Sequence, residues 1–390
     1  MDETDLGGEG DLPQSGGFPG YDQADAEPDD LTLSMFGEPE EVPAKAADGQ
    51  GSQPYLVLAR KYRPQRFEDL IGQEAMVRTL TNAFASNRIA HAFMLTGVRG
   101  VGKTTTARLI ARALNYQTAT LDRPSIQLDP IGSQCEAITR GNHPDVFELD
   151  AASRTGVGDM RELLDGVRYG PIAARYKVYI IDEVHMLSKS AFNALLKTLE
   201  EPPPGGTLIL LAHAPGRLLP TLRSRCRRLD LSCLSDEAMT KALPSIDATT
   251  RSLGAGRPGR ARALAALGAA KLYSTLSRHL SGLPRAPLDE ALALADACSD
   301  ADRFHAVFDM MEDWLARAGR AGLGLEISEI EPGESVLLAR LAAGAGTDGA
   351  AKAWSHVRAV RTKVEALNLD RSLATLEALR AIRADLAPIH

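Results

Sequence analysis

The chain has 390 residues, a net charge of −7 and a hydrophobic fraction of 44% with only 5% aromatics, a size suited to two or three domains rather than one core. No apolar run approaches the roughly 20 residues of a membrane span, and the acidic N-terminus shows no apolar signal core, so neither membrane insertion nor export is expected and a cytoplasmic location is. Four cysteines (Cys135, Cys226, Cys233 and Cys298) form no CxxC pair, which predicts reduced thiols rather than a disulfide framework.

Charge is unevenly spread. The first 50 residues hold 14 acidic side chains against Lys45 alone, so the remaining 340 carry 43 basic and 37 acidic groups. That remainder is mildly basic, compatible with a polyanionic partner. Residues 1–54 are rich in Gly, Pro, Asp and Glu without sustained periodicity, the signature of a disordered acidic tail.

From Tyr55 short apolar runs alternate with helical patterns. "AFMLTG" (92–97), "VFELDA" (146–151), "KVYIID" (177–182), "TLILLA" (207–212) and "RRLDL" (227–231) read as strands. Between them, residues 188–200 place Phe192, Leu195, Leu196 and Leu199 on one helical face, with Ser188 as N-cap and Pro202–Pro203–Pro204 as the stop. Strands that are continuously apolar and alternate with helices predict an α/β domain over 55–231, its parallel sheet covered on both faces. Near its end "LRSRCRRL" (222–229) crowds four arginines onto what reads as the end of a strand.

After about residue 232 the strand signal stops. A short helical segment (232–270) precedes a longer Ala/Leu-rich helical domain (271–390). Its stripes are Phe304, Val307, Phe308, Met311, Leu315 and then Trp354, Val357, Val364, Leu367. The glycine-rich pieces "RAGLGLE" (320–326) and "AAGAGTDGA" (342–350) are expected to be loops.

Two motifs carry chemistry. "GVRGVGKT" (97–104) fits G-x-x-x-x-G-K-[ST], with a strand before it and a helix bearing Ala107, Ile110, Ala111 and Leu114 on one face after it. Gly97, Gly100 and Gly102 let the backbone of the loop, with Val101 and Thr105 beside it, curl around phosphate oxygens at a helix N-terminus. Lys103 would reach the β/γ-phosphates and the Thr104 hydroxyl would ligate Mg²⁺. "VYIIDEVHML" (178–187) ends a strand on Asp182 and Glu183, where ligands bind in open α/β sheets. Asp182 suits the Mg²⁺ shell and Glu183 the polarisation of an attacking water. ATP and Mg²⁺ are therefore the expected ligands.

Taken together, "RKYRPQRFEDLIGQE" (60–74), "GVRGVGKTTTARL", "ELDAASRTGV" (148–157), "KVYIIDEVHMLS" and "FNALLKTLEEPP" (192–203) resemble the gamma/tau subunits of bacterial DNA polymerase III. These are AAA+ P-loop ATPases of the sliding-clamp loader. The resemblance covers 55–200. It implies an α/β AAA+ domain followed by a helical lid (232–270) and an all-α collar (271–390) that joins several subunits. It also implies an adenine pocket lined by Tyr62 to Gly72, Arg63 included, and an arginine finger, Arg225 of "SRC", directed at the ATP of a neighbouring subunit. Partners would be other loader subunits, the sliding clamp and primed DNA contacted through its phosphates, with no polymerase site in the chain itself and no membrane.

The pattern departs from the family in places. Where gamma/tau subunits carry a four-cysteine zinc module, "LDPIGSQCEAI" (128–138) keeps only Cys135, with Asp129 and Gly132 at expected cysteine positions. One thiolate, even with His143, cannot close a tetrahedral site, so no zinc is expected. Beyond about residue 205, "LLAHAPGRLLPTLRSRCRRL" (210–229) and "EALNLDRSLATLEAL" (365–379) look closer to the delta-prime loader subunit, with His213 at the sensor position. In "GRPGRARAL" (256–264), Arg260 is the expected second phosphate contact. The alternative to a hydrolysing subunit is thus a delta-prime-type one that donates Arg225 without turning over ATP. A branch-migration helicase motor of similar type would need a C-terminal winged helix, which the helical pattern after residue 288 does not supply.

Overall fold

The computed structural model describes residues 63–151, 166, 170–345 and 348–387. The expected acidic tail, Tyr62 and the "ASRTGV" end of the 148–157 stretch lie outside them. Five strands, β1 (Ala92–Thr96), β2 (Val146–Asp150), β3 (Lys177–Asp182), β4 (Gly206–Ala212) and β5 (Arg227–Asp230), form one parallel sheet in the order β2-β3-β4-β1-β5. The registers Thr96↔Ala212, Thr96↔Asp230 and Asp150↔Asp182 bring the C-terminal strand ends to one edge.

Alternation along each strand feeds two cores. Phe93, Leu95, Ile180 and Ile209 pack on one face with Leu80 of helix α1 (Glu74–Ala85) and Leu109 and Ile110 of α2 (Lys103–Leu114). Met94, Tyr179, Ile181 and Leu210 pack on the other with Leu195 and Leu199 of a later helix (Lys189–Glu200). Fully burying each such side chain contributes about 1.5–3 kcal/mol, and a parallel sheet needs both faces covered. A short helix α3 (Cys135–Arg140) completes the first face, and the Lys189–Glu200 helix, α4, is capped as expected by Ser188, whose hydroxyl accepts from Ala191 N. The result is a parallel α/β sheet covered by helices on both faces and followed by helices alone, the α/β class expected from the sequence.

The arginine run is not a strand end. Pro220–Arg225 forms a helix, α5, with Pro220 in its first turn and Leu222 buried, so Arg223 and Arg225 occupy its last turn. Only Arg227 and Arg228 lie on strand β5, both exposed at the sheet edge. Proline at a helix start fixes φ without losing a needed N–H, which is why the helix begins there.

Among the described residues no strand follows Asp230. Helices α6 (Asp236–Ala242), α7 (Ala248–Leu253) and α8 (Pro258–Ala266) enclose a small core of Leu234, Met239, Leu243 and Ala261. Then come α9 (Ala269–Ser281), α10 (Leu288–Ala297), α11 (Ala301–Gly322), α12 (Glu334–Ala345), α13 (Gly349–Leu367) and α14 (Arg371–Asp385). Leu253 and Leu264 also enter the large core of these C-terminal helices, so packing is continuous across residue 270.

The α11 stripe is buried as expected. The α13 stripe closes a turn early: Ala353, Val357, Val360 and Val364 are buried, Trp354 is half-buried, and Leu367, the last helical residue, is 67% exposed beside the left-handed Asn368. The two glycine-rich "loops" are partly helical, because α11 runs to Gly322 and α12 to Ala345. A Cβ on Gly322 would lie 2.8 Å from the Cβ of Ala342. Gly322 is thus a close-approach residue between α11 and α12 rather than a helix breaker. No described helix is long and apolar enough to cross a membrane.

Candidate functional site

A cleft of roughly 650 Å³ opens at the C-terminal edge of the sheet. Its floor is the β1–α2 loop. Gly97, Gly100 and Gly102 adopt φ of +144°, +85° and +111°, values that side chains with a Cβ rarely reach. A Cβ on Gly97 would stand 2.6 Å from the Leu231 carbonyl oxygen, whereas none is obstructed at Gly102. Val101, 5% exposed, anchors the loop in the core. The curled backbone therefore follows from glycine and one buried valine.

Lys103 begins α2 and is 4% exposed. Its Nζ donates to Gly97 O (2.7 Å) and Val98 O (2.9 Å) and lies 2.6 Å from His213 Nδ1. Burial pulls the ammonium pKa down to about 8, against the opposing pull of Asp182 and Glu183. Thr104 Oγ1 donates to Asp182 Oδ2 at 3.3 Å, and Asp182 Oδ1 accepts from Glu183 N at 2.8 Å. Glu183 itself adopts φ +50°, a left-handed conformation that costs a non-glycine residue on the order of 1–3 kcal/mol. Its Oε1 lies 2.6 Å from His213 Nε2 and its Oε2 3.4 Å from His185 Nδ1. Among the described residues, Asp182, Glu183 and His213 are the group whose ligating atoms converge within 4.8 Å.

The other expected residues divide. Gly100, Thr105 and Arg63 line the cleft, the last with Gln65, Asp69 and Ile71 of the 62–72 segment. Arg260 lies outside the lining. Its guanidinium pairs with Asp309 of α11 at 3.3 Å, and Arg262 takes the place at the cleft. The start of α8 explains this: Gly259 N–H donates to Gly100 O at 2.8 Å, which sets the face of α8 turned to the loop. Arg260 also backs onto the loop, its N and Cβ 3.0 and 3.4 Å from where a Cβ on Gly100 would stand. Its guanidinium turns away to Asp309, whereas Arg262, three residues beyond Gly259, lines the cleft. The sequence signal was present in the Pro258 helix start, but three arginines in six residues cannot be ranked without the contact.

Arg225 is not in the cleft of its own chain. At the end of α5 it pairs with Glu200 Oε1 (3.0 Å) and donates to the Thr221 carbonyl (3.1 Å). Cys226 is partly buried, and burial pushes its thiol up to about 12, the behaviour of a packed rather than reactive cysteine. Cys135 is buried in the core beside Tyr116, and a Cβ at position 132 would lie 2.8 Å from Gln117 O and 3.1 Å from the Tyr116 ring. Both ring nitrogens of His143 are engaged, Nε2 with Gln134 Oε1 at 2.8 Å and Nδ1 accepting from Asp145 N at 3.0 Å.

Chemically, the cleft offers a glycine cradle, a buried ammonium, and a hydroxyl and carboxylate 3.3 Å apart. Oxygen donors of this kind suit a hard divalent cation, and the cradle suits the phosphates it would accompany.

A sequence family described as DNA polymerase III, delta subunit, matches residues 72–235. The tau subunit of Escherichia coli (strain K12) is 48% identical over 192 residues, 49% of this chain and 29% of that protein. The gamma subunit of Buchnera aphidicola from Acyrthosiphon pisum is 48% identical over the same length, covering 52% of that protein. About half of the chain is thus related to DNA polymerase III gamma/tau subunits. The tau/gamma subunit of Haemophilus influenzae (47% identical) is covered over 27% of its length, so the chain spans about a quarter to a half of these gamma/tau relatives. Among solved structures, a RuvB variant of Thermotoga maritima aligns over 68% of this chain and 86% of its own at 20% identity and a TM-score of 0.39. A DNA polymerase III gamma subunit-related protein of the same organism aligns over 80% and 99%, also at 20% and 0.39.

Proposed function

We propose that this chain is an ATP-binding and hydrolysing subunit of the DNA polymerase III clamp loader, acting with other loader subunits to place the sliding clamp on primed DNA. The observation that carries this reading is the convergence of Lys103, Thr104, Asp182 and Glu183 on one cleft, within a chain half of which is related to gamma/tau. In the reaction, loop amides and Lys103 hold the β/γ-phosphates, while Arg63 and its neighbours face the base. Thr104 and Asp182 hold Mg²⁺, which when bound neutralises charge on the phosphate oxygens. Glu183 orients the attacking water and takes its proton. Arg262, rather than Arg260, contacts the phosphates from the lid.

Arg225 acts in trans. Lying outside its own cleft and exposed on α5, it completes a neighbour's site, so hydrolysis depends on assembly. The domains work as a 55–231 motor, a 232–270 lid and a 271–390 collar. DNA is gripped through its phosphates without base readout. ATP binding favours the state that opens the clamp, and hydrolysis releases it. A delta-prime-type subunit that only donates Arg225 has no need of a complete Lys103–Thr104–Asp182–Glu183 set.

The test is reconstitution with partner subunits, clamp and primed DNA. Hydrolysis stimulated by clamp and DNA is expected, with Glu183→Gln lowering it on the order of a hundredfold or more at retained ATP affinity. Unstimulated turnover, or turnover indifferent to Glu183→Gln, would contradict the reading.

A further inference from the structure

His213 follows β4, the strand that separates β1 from β3, and so emerges between the lysine of the phosphate loop and the Asp182–Glu183 pair. Both ring nitrogens are engaged: Nδ1 is 2.6 Å from Lys103 Nζ, and Nε2 is 2.6 Å from Glu183 Oε1. An ammonium offers only donors and a carboxylate only acceptors. One tautomer of the neutral ring therefore serves both, with Nδ1 accepting from Lys103 and Nε2–H donating to Glu183. The remaining two donors of Lys103 go to Gly97 O and Val98 O. All three donors are committed, so reaching a phosphate means releasing one. Two of these contacts belong to the loop itself. The third comes from a different strand and ties the loop to Glu183.

We propose that His213 is a two-sided positioning residue that bridges Lys103 and Glu183, so that a nucleotide phosphate competes with the imidazole for Lys103 while the same imidazole aims Glu183. This rests on the ATPase reading above. It gives removal of the ring two effects of opposite sign. Lys103 is freed for phosphate, so nucleotide binds more tightly. Glu183 loses its orienting donor, so turnover falls. A ring that merely packs would lower stability without that opposition, and a ring that grips the terminal phosphate would on removal weaken ATP binding and leave ADP unchanged.

The test measures ATP and ADP affinity with Mg²⁺ on the full chain, and hydrolysis in the reconstituted complex, for wild type, His213→Ala and His213→Gln. His213→Ala is expected to tighten both nucleotides roughly three- to tenfold, the size of one freed hydrogen bond, and to lower kcat roughly tenfold. His213→Gln keeps one donor and one acceptor and is expected to restore much of both. Unchanged or weaker nucleotide binding by a folded His213→Ala, or unchanged kcat, overturns the bridge while leaving the ATPase reading intact. A wild-type chain that neither binds nor hydrolyses ATP overturns both.

Discussion

Several residues of the cleft owe their positions to backbone facts that composition does not reveal. Glu183 is turned by its left-handed φ, and His213 is placed by strand order. Asp145 is a structural counterpart. Fully buried, it accepts backbone N–H bonds from Ile172, Ala173 and Ala174 at 2.7–2.8 Å. Burial alone would raise its pKa, but those three donors, with His143, hold it below the ordinary carboxylate value. A depressed folded pKa contributes stability above the unfolded value, near pH 4, that is lost as pH falls through the folded one. Asp145→Asn is expected to cost about 1–3 kcal/mol at neutral pH, because its amide would face donors, and to flatten the acid limb of stability measured by denaturant titration from pH 7 to 3. Equal acid sensitivity in both proteins would contradict this. At this scale the phosphate-loop residues and the Asp182–Glu183 pair were legible as motifs. The exchange of Arg260 for Arg262 at the cleft was not, since it depends on the Gly259–Gly100 contact, which joins segments far apart in the chain.

At the scale of elements, strands and helix stripes were readable wherever one face is buried. The misreadings share a cause. Gly322 and the α5 arginines were judged by local propensity, whereas a neighbouring element decides them: Ala342 leaves room only for glycine, and the burial of Leu222 holds a short helix. A buried polar cluster makes the same point. Arg317 of α11, 7% exposed, bonds to Glu334 at the start of α12 and to the Tyr273 hydroxyl of α9. Burial works against the guanidinium charge, but Glu334 and Tyr273 outweigh it and raise its pKa. Glu334→Ala removes its buried carboxylate partner and leaves the guanidinium only the half-exposed Asp313, 3.1 Å from its Nε. It is expected to destabilise the chain by about 3–5 kcal/mol, seen as an earlier urea midpoint, and Glu334→Gln less. A midpoint within error of wild type would show the cluster to be replaceable.

Across the whole molecule, the glycine loop between β1 and α2 is tied physically to the C-terminal helices. Gly259 bonds to Gly100, Arg260 beside it pairs with Asp309 of α11, and Asp309 also pairs with Arg361 of α13. The change from alternating strands to helices after residue 230 was legible in the sequence. The continuous core across residue 270 was not, because it depends on Leu253 and Leu264 facing α9 and its neighbours. Every proposed step requires nucleotide binding in the cleft. The direct measurement is calorimetric titration of the full chain with ATP and Mg²⁺, beside Lys103→Ala. Micromolar binding that the substitution abolishes is the expected result. A folded wild-type chain with no measurable binding, or with binding that Lys103→Ala leaves intact, would contradict the account.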